Sequence, residues 1–356
     1  MRHLTIDDVE SLAVGAWVLG TGGGGNPYLP LLNMRTLYRE GLRVEMIEAD
    51  DLEDDDWVGM AGSMGAPLVG QERLADAQVT SRAVEMMENY LGKRFRALMS
   101  TEIGGANGVR PLMAAALLGR PLIDADTMGR AYPEAPMNSL AVGGLAPAPI
   151  AQVDPRGLES IVRTVPTWKW AERVSRKICV EYGSTATICR PRTGAEIKNW
   201  AIRNTVTKAI AIGNAVREAQ RRHDDPIAAI LSVEPGHLLY KGKVVDVARR
   251  TTEGFLRGVV RFDGVDDFRG VRFTINFQNE WIVALRDEQP IAMSPDLICV
   301  LDSVSGEAVG SETIRYGQRV TVVALPPPKV FLSPKGLEHV GPRAFGYDLD
   351  YRSVFA

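Results

Sequence analysis

Two aspartates separated by one residue are the side chains in this sequence best spaced for acid–base chemistry. Asp124 and Asp126 end the apolar run 121–123, and residues two apart on a strand point to the same face. Carboxylates held close together raise one another's affinity for a proton or a cation. One of them could therefore act as a general base while the other orients it or a metal ion. The alternative is structural, with one capping the following loop and the other solvated.

A third carboxylate, Glu102, follows another predicted strand in the segment TEIGGANG, close to Asn107. A carboxylate just before two glycines is a candidate general acid or base, and the asparagine could offer its amide to a substrate. Both residues also suit a local role, in which the carboxylate accepts backbone N–H bonds and the asparagine makes a turn. We take Asp124, Asp126 and Glu102 as the candidate catalytic residues.

Candidate substrate-binding residues lie in two further segments. Arg130 and Glu134 share the loop DADTMGRAYPE, where a guanidinium could clamp a substrate carboxylate through two hydrogen bonds. The arginine could equally pair with a carboxylate of the protein. Asn279 and Glu280, in the segment FQNEW, follow a β-type run. Ordinary alternating exposure along a strand is the simpler interpretation of that pair.

Four consecutive glycines in TGGGGNPY raise a separate question near the N-terminus. The glycines join one predicted helix to another, so the preceding strand of a dinucleotide fingerprint is missing, and no Lys-Ser/Thr pair follows them as in a P-loop. The segment is either a tight connection or an anion site, in which bare amides and a helix N-terminus receive a carboxylate or phosphate. We predict binding roles for Gly22, Gly23, Gly24, Gly25 and Asn26.

The predicted elements bring these polar segments to one place. Strands predicted at 42–48, 57–61, 95–99 and 121–123 alternate with helices, which is typical of a mostly parallel sheet. Glycine-rich or acidic segments, the first of them GSMGAP, follow three of these strands. Ligands of open α/β sheets bind at the carboxyl edge of the strands. The sequence therefore predicts a single polar rim.

The second half of the chain has a different pattern. A capping box that begins at Thr193 predicts one long helix to about residue 222. From about residue 228, short β-branched runs alternate with turn signals, which favours a mostly antiparallel β domain. We predict an α/β domain with a mostly parallel sheet over 1–165, and a long helix followed by a β domain over 166–356.

Composition narrows the function classes. The 356 residues carry a formal net charge of −3 with dispersed basic residues, which disfavours nucleic acid as a partner. The sequence lacks an apolar run long enough for a membrane span and a signal-like N-terminus. Three scattered cysteines and four distant histidines fit neither a disulfide framework nor a zinc site. We expect a cytoplasmic homo-oligomer that acts on a small molecule without a cofactor, although acidic clusters could hold a divalent metal ion.

Several segments together resemble one family. GTGGGGNPY near the start, TEIGGANGVRPLMAAALLGRPLIDADTMGRAYPE in the middle, and FQNEW, PDLICVLD, SGEAVGSE, YGQRV and VGPRAFGYD near the end are similar to the S-methyl thiohydantoin desulfurase family. The resemblance extends from about Ile6 to Tyr351. It implies hydrolysis of an S-methylated thiohydantoin, within ergothioneine breakdown, to a hydantoin and methanethiol. It brings no established set of catalytic residues with it.

The implied reaction suits the residues found above. A carboxylate from Asp124, Asp126 or Glu102 would deprotonate water, and another carboxyl group would protonate a ring nitrogen or the departing sulfur. Glycine-loop amides and Arg130 would hold the substrate's propionate tail or carbonyl. Two alternatives stay open: another cyclic-amide or amidine hydrolase of hydantoinase type, and a non-catalytic partner subunit of a hydantoinase- or oxoprolinase-like enzyme. The missing Lys-Ser/Thr pair argues against a nucleotide-binding protein.

Overall fold

The computed structural model describes residues 2–66, Val69 and 76–356; Pro67, the last residue of GSMGAP, lies outside them. The strands within these ranges are β1 (Arg2–Leu4), β2 (Val44–Ile47), β3 (Trp57–Gly65), β4 (Ala97–Ser100), β5 (Leu122–Ile123), β6 (Ala125–Asp126), β7 (Ile150–Val153), β8 (Glu159–Val162), β9 (Thr185–Thr193), β10 (Ile202–Arg203), β11 (His237–Thr252), β12 (Phe255–Gly264), β13 (Arg272–Gln278), β14 (Glu280–Arg286), β15 (Gln289–Met293), β16 (Leu297–Asp302) and β17 (Arg319–Leu325). The helices are α1 (Ile6–Leu19), α2 (Tyr28–Arg39), α3 (Val79–Leu91), α4 (Arg110–Leu118), α5 (Ser139–Val142), α6 (Trp168–Glu181), α7 (Gly194–Trp200), α8 (Thr205–Arg222), α9 (Pro226–Val233) and α10 (Pro334–Val340). In this described part of the chain, no helix is long and apolar enough to cross a membrane.

Parallel strands form the centre of the first sheet. Its strand order is β1-β2-β5-β4-β3-β9-β7-β8. The neighbours β2, β5, β4 and β3 run parallel, and the other pairs are antiparallel. The central strands are apolar and largely buried, as expected for a parallel sheet covered on both faces. The α/β fold class predicted for the first half of the chain is confirmed.

The second sheet is antiparallel and confirms the β domain predicted for the end of the chain. Its strand order is β15-β14-β13-β12-β11-β17-β16. An aromatic core lies on one face, where the ring of Tyr240 stacks on that of Phe273 with centroids 4.3 Å apart and Trp281 is fully buried. Burial of such large apolar surfaces is the main stabilising contribution of this domain.

One strand of the first sheet comes from the second half of the chain. β9 lies between β3 and β7, antiparallel to both, and pairs Met60 of β3 with Arg190. Every residue of β9 between its two ends is buried. A charged side chain of the second half is therefore carried into the interior of the first sheet.

The single long helix predicted from Thr193 is wrong, because two helices occupy that segment. Thr193 caps α7 as the capping box predicts, but α7 ends at Trp200. Asn204 then adopts a left-handed conformation with φ of 61° before α8 begins. The Asp124 carboxylate accepts the N–H groups of Val206 and Thr207 at 2.9 and 3.0 Å. This cap comes from a residue 82 positions away, so no local pattern could reveal it. The 18-residue α8 is the long helix that precedes the β domain.

Two glycines bring α1 and α8 into direct backbone contact. A Cβ on Gly15 would overlap the carbonyl oxygen of Ala209, and a Cβ on Gly213 would overlap that of Ser11. The contact is reciprocal, since each helix supplies one glycine and one carbonyl. It joins the first helix of the chain to the long helix that leads into the β domain.

We predict that Gly15→Ala and Gly213→Ala each destabilise the protein by about 1–3 kcal/mol, since overpacking forces the two helices apart. Intrinsic helix propensity acts in the opposite direction, because alanine in place of glycine favours a helix by about 1 kcal/mol. Urea unfolding measures the sign. The control is Ala215→Ser, which changes a partly buried residue of α8 outside the glycine contact. A rise in stability in either alanine variant would contradict the close helix contact.

Candidate active site

A cavity of about 540 Å³ lies at the carboxyl end of β3 and β4, where the first sheet meets β14. Both halves of the chain contribute to its wall. The predicted site residues that line it are Gly24, Gly25, Asn26, Glu102, Asn107, Glu134, Asn279 and Glu280. The predicted rim therefore brings together eight of the thirteen residues singled out in the sequence.

The glycine loop forms one wall of this cavity. Gly24 and Gly25 line it, and their backbone N–H groups donate no hydrogen bond to any of the described residues. Asn26 also lines the cavity and accepts the N–H of Tyr28 at 2.8 Å at the start of α2. This edge of the loop has donors available for an anion or a carbonyl. Its binding role stays a prediction.

Close packing explains why the loop needs consecutive glycines. A Cβ on Gly22 would overlap the indole of Trp281, and a Cβ on Gly23 would overlap the carboxyl group of Glu280. Both neighbours belong to β14 of the second sheet. The carbonyl of Thr21 also accepts the N–H of Trp281 at 2.7 Å. Gly22 and Gly23 thus lie behind the cavity, where they let the loop pack against the second domain.

Glu102 is a buried carboxyl group on the cavity wall, 7% exposed. One oxygen accepts the side-chain amide of Asn107, and the other accepts the N–H of Tyr132 at 3.1 Å. Burial raises its pKa to about 8, and the nearby charge of Asp126 adds to the shift. Its proton is therefore exchangeable near neutral pH, which is the range in which general acid–base catalysis is most efficient.

Asn107 positions Glu102 rather than standing alone on the wall. Its side-chain oxygen accepts both the N–H and the hydroxyl of Ser63, at 2.9 and 2.6 Å. Its NH₂ group is thereby turned towards Glu102. The chain Ser63–Asn107–Glu102 links β3 to the loop after β4 and holds the carboxyl group in one orientation.

Glu280 is the second buried carboxyl group of the cavity. It begins β14, is 2% exposed, and its Oε2 has no hydrogen-bond partner among the described residues. Burial raises its pKa well above the ordinary value, and repulsion from Glu102 raises it further. Asn279 holds the corner before it in a left-handed conformation, φ 57°, with its side chain accepting the N–H of Leu256 at 2.8 Å. The sequence places the two glutamates 178 positions apart, but the fold brings both to one cavity.

The two aspartates lie outside the cavity lining and share no partner. Asp124 caps α8, as described above. The Asp126 carboxylate accepts the N–H groups of Ile103, Met128 and Gly129, the shortest at 2.8 Å. Burial still raises the pKa of Asp126 to about 7. Asp126 thus holds the loop that follows it, as the structural alternative predicts, whereas Asp124 caps a helix and is buried at 1% exposure instead of being solvated. Their catalytic role stays a prediction that this geometry disfavours.

Arg130 also lies outside the cavity lining and is completely buried. Its guanidinium donates to the Thr21 hydroxyl and to the carbonyls of Ala131 and Asp296, the last two at 3.0 and 2.9 Å. It therefore ties the glycine loop to the second domain, which is an internal role, and its predicted use as a substrate clamp is disfavoured by these contacts. Glu134 does line the cavity and accepts the side-chain amide of Gln278 at 3.1 Å.

Three arginines that the sequence did not single out line the cavity, namely Arg110, Arg176 and Arg190. Arg176 is paired with Glu172. Arg190 of β9 is 2% exposed, and its Nε and Nη2 have no hydrogen-bond partner among the described residues. Arg110, the first residue of α4, is partly buried and its Nε is likewise unpartnered. The available signal was the alternation of arginine with apolar residues in ATICRPRT, a run too apolar for a solvated strand.

Potential metal ligands are dispersed over the described residues, where no group of three or more His, Cys, Asp or Glu side chains could hold an ion. The three cysteines, Cys179, Cys189 and Cys299, are buried and form no disulfide bond. Burial raises the pKa of the Cys189 and Cys299 thiols, so neither is a ready nucleophile. The predicted absence of a cofactor stays a prediction.

Fold and site together define a two-domain α/β and β protein with a cavity that is lined by both halves of the chain and contains buried carboxyl groups. The chain belongs to the S-Me-THD-like family, that of S-methyl thiohydantoin desulfurase. The model of the family's N-terminal domain matches residues 7–164, and that of its C-terminal domain matches residues 166–354. A crystal structure of a protein from Chromobacterium violaceum has the same fold, with a TM-score of 0.82 and 22% identity, over 99% of this chain and 100% of that chain. Comparison with curated proteins gives no match.

We predict that Glu102 makes stability depend on pH. The folded chain keeps a proton up to about pH 8 that the unfolded chain releases near 4.5. The stability that this proton supplies is complete below pH 4.5 and is lost as the pH rises towards 8. Urea unfolding at pH 5 and pH 8 should therefore show a smaller loss in Glu102→Gln than in the unsubstituted protein.

Glu85→Gln, at an exposed position of α3, is the matched control, and it should lose as much stability between the two pH values as the unsubstituted protein does. The comparison uses the difference between two pH values, so a uniform loss of stability in Glu102→Gln does not affect it. An equally steep loss in Glu102→Gln would show that this carboxyl group titrates normally.

Proposed function

We propose that this protein hydrolyses the C–S bond of an S-methylated thiohydantoin and releases a hydantoin and methanethiol. One observation carries the proposal: Glu102 and Glu280, two buried carboxyl groups with raised pKa values, line the same cavity. Hydrolysis of this bond needs one group that takes a proton from water and another that gives one to the ring. Membership of the S-Me-THD-like family supports the choice of ring.

Hydrogen bonding assigns the two roles. Both oxygens of Glu102 accept N–H donors, which favours its ionised form, whereas Glu280 has one oxygen with no hydrogen-bond partner among the described residues, which favours its protonated form. The group that ionises first is the base, and the group that stays protonated is the acid. Glu102 takes a proton from water as the water oxygen bonds to the ring carbon that carries sulfur. Glu280 gives its proton to the ring nitrogen, which receives the electron pair of the C=N bond.

Collapse of the tetrahedral intermediate restores both groups. The C–S bond breaks with its electron pair on sulfur, and protonated Glu102 gives its proton to that sulfur to form methanethiol. The remaining hydroxyl proton passes to Glu280 as the carbonyl of the hydantoin forms. One water is consumed, no electrons are exchanged, and each glutamate ends in its starting protonation state. The amides of Gly24 and Gly25 are available to hold the ring carbonyl.

The direct test is release of free thiol from S-methyl-thiohydantoin propionate by the purified protein, with and without a chelator. Thiol release supports the proposal, and retention of that release under chelation supports a carboxylate-activated water. Loss of activity under chelation, restored by a divalent metal, would require metal-activated water instead. No thiol release from the folded protein would favour another cyclic-amide or amidine hydrolase, or a partner-subunit role.

We predict that Glu102→Gln and Glu280→Gln each lower kcat by about 10²- to 10⁴-fold, the usual contribution of a positioned acid or base. Glu312→Gln is the matched control, because Glu312 is also buried with its pKa raised to about 7 yet does not line the cavity. It should keep kcat within a few-fold. Equal losses in all three variants would mean that buried carboxyl groups matter here for folding, not for proton transfer.

We also predict that kcat/KM rises with pH up to about 8, because Glu102 acts only when ionised and burial raises its pKa to about 8. Below that value the rate should fall about tenfold for each pH unit, with an apparent pKa that belongs to the coupled Glu102–Glu280 pair. The residual activity of Glu102→Gln should lack this rising limb, whereas Glu312→Gln should keep it. A rising limb unchanged in Glu102→Gln would assign the base to another group.

A further inference from the structure

Arg190 is a buried cation without a counterpart of its own. Its Nε and Nη2 are inaccessible and have no hydrogen-bond partner among the described residues, although the side chain lines the cavity. Burial lowers the pKa of this guanidinium to about 10, so it is charged at neutral pH. An unpaired buried charge is among the costliest features a fold can contain.

The nearby carboxylate is already engaged. Glu172 raises the pKa of Arg190 from a distance, but its two oxygens accept Nε of Arg176 at 2.7 Å and the N–H of Ala135 at 2.8 Å. Trp168 covers Arg190 from one side, with the ring centroid 5.7 Å from the guanidinium carbon. The protein therefore holds Arg190 in place without neutralising it.

Arg110 is a second arginine in the lining of the same cavity. It lies at the first position of α4, and its buried Nε has no hydrogen-bond partner in the described part of the chain. Burial lowers its pKa. By contrast Arg192, two residues beyond Arg190 on β9, does not line the cavity and donates to the carbonyl of Ala146 at 2.7 Å, although its Nε also has no partner among the described residues. Arg176 does line the cavity, but its Nε is bonded to Glu172. Arg190 and Arg110 are therefore the lining arginines that have no carboxylate partner among the described residues.

We propose that Arg190 receives the carboxylate of the ligand and so restricts this cavity to cyclic substrates that carry an acidic side chain, with Arg110 as a second cation on the wall. The identity of the substrate ring in this inference rests on the proposed function, but binding of the carboxylate by Arg190 does not depend on the reaction. A guanidinium presents paired donors that match a carboxylate. The acid–base pair then acts on the ring while the tail is anchored elsewhere in the cavity.

The first test compares two substrates that differ by one charge. We would measure kcat and KM for S-methyl-thiohydantoin propionate and for its propionamide in the unsubstituted protein, Arg190→Gln and the control Arg192→Gln. We expect Arg190→Gln to raise KM for the propionate about 10- to 100-fold, the range for a charge-assisted hydrogen bond, with little change for the amide. Arg192→Gln should keep the preference for the carboxylate. A preference retained in Arg190→Gln would overturn the assignment.

A second test needs no turnover and separates this inference from the proposed function. Calorimetric titration with hydantoin propionate, its propionamide and inorganic phosphate should give tight binding of the first only, with that difference lost in Arg190→Gln. If this difference in binding is found but no thiol is released, the carboxylate site is supported and the desulfurase activity is rejected. Equal binding of acid and amide by the unsubstituted protein, or tighter binding of phosphate, would reject the carboxylate site.

The melting temperature without ligand distinguishes a binding role from a structural one. Arg190→Met removes an unpaired buried charge, so we expect its melting temperature to equal or exceed that of the unsubstituted protein. Hydantoin propionate should raise the melting temperature of the unsubstituted protein and not that of the variant. A variant that melts clearly lower would show that Arg190 stabilises the fold, and would count against the proposal.

Discussion

The packing of the glycine loop against the start of β14 is the contact on which the cavity depends. Gly22 and Gly23 can lie directly against Trp281 and Glu280 only because they lack side chains. The same strand is held by the Thr21 carbonyl and, through Arg130, by a second set of hydrogen bonds. With these contacts in place, Glu280 is buried beside the first sheet. A side chain at Gly22 or Gly23 would push the loop away from β14, where Glu280 is buried.

Burial at this contact raises the pKa values of the carboxyl groups and also lowers the stability of the folded protein. Glu102 gains hydrogen bonds from Asn107 and Tyr132, yet burial still dominates its pKa. Among the described residues, Glu280 has one oxygen with no hydrogen-bond partner, and Arg190 has two such nitrogens. Groups of this kind reduce stability, and the two apolar cores must offset the loss. A cavity that holds a protonated carboxyl group and an incompletely paired guanidinium matches the acidic ligand proposed above.

The sequence predicted the elements better than their long-range contacts. Alternating strands and helices, the glycine loop and the polar rim follow from local patterns, so Glu102 and Asn107 could be placed near the cavity in advance. The role of Asp124 could not, because its partner is the first turn of α8, 82 positions away. Arg190 was missed for a related reason. β9 lies in the first sheet although it belongs to the second half of the chain, and only the strand order reveals which face its arginine occupies.

The origin of the site residues limits how the site can change. Glu102 comes from the first half of the chain, Glu280 from the second, and Arg190 from the strand that crosses between them. The relative position of the two carboxyl groups is therefore set by the interface between the halves, which includes the glycine contacts of α1 with α8. A shift at that interface would alter the repulsion between the glutamates, and so their pKa values, without touching either side chain. The pKa values of the two glutamates are thus coupled to the packing of the interface, whereas Arg190 is surrounded by the first sheet and α6.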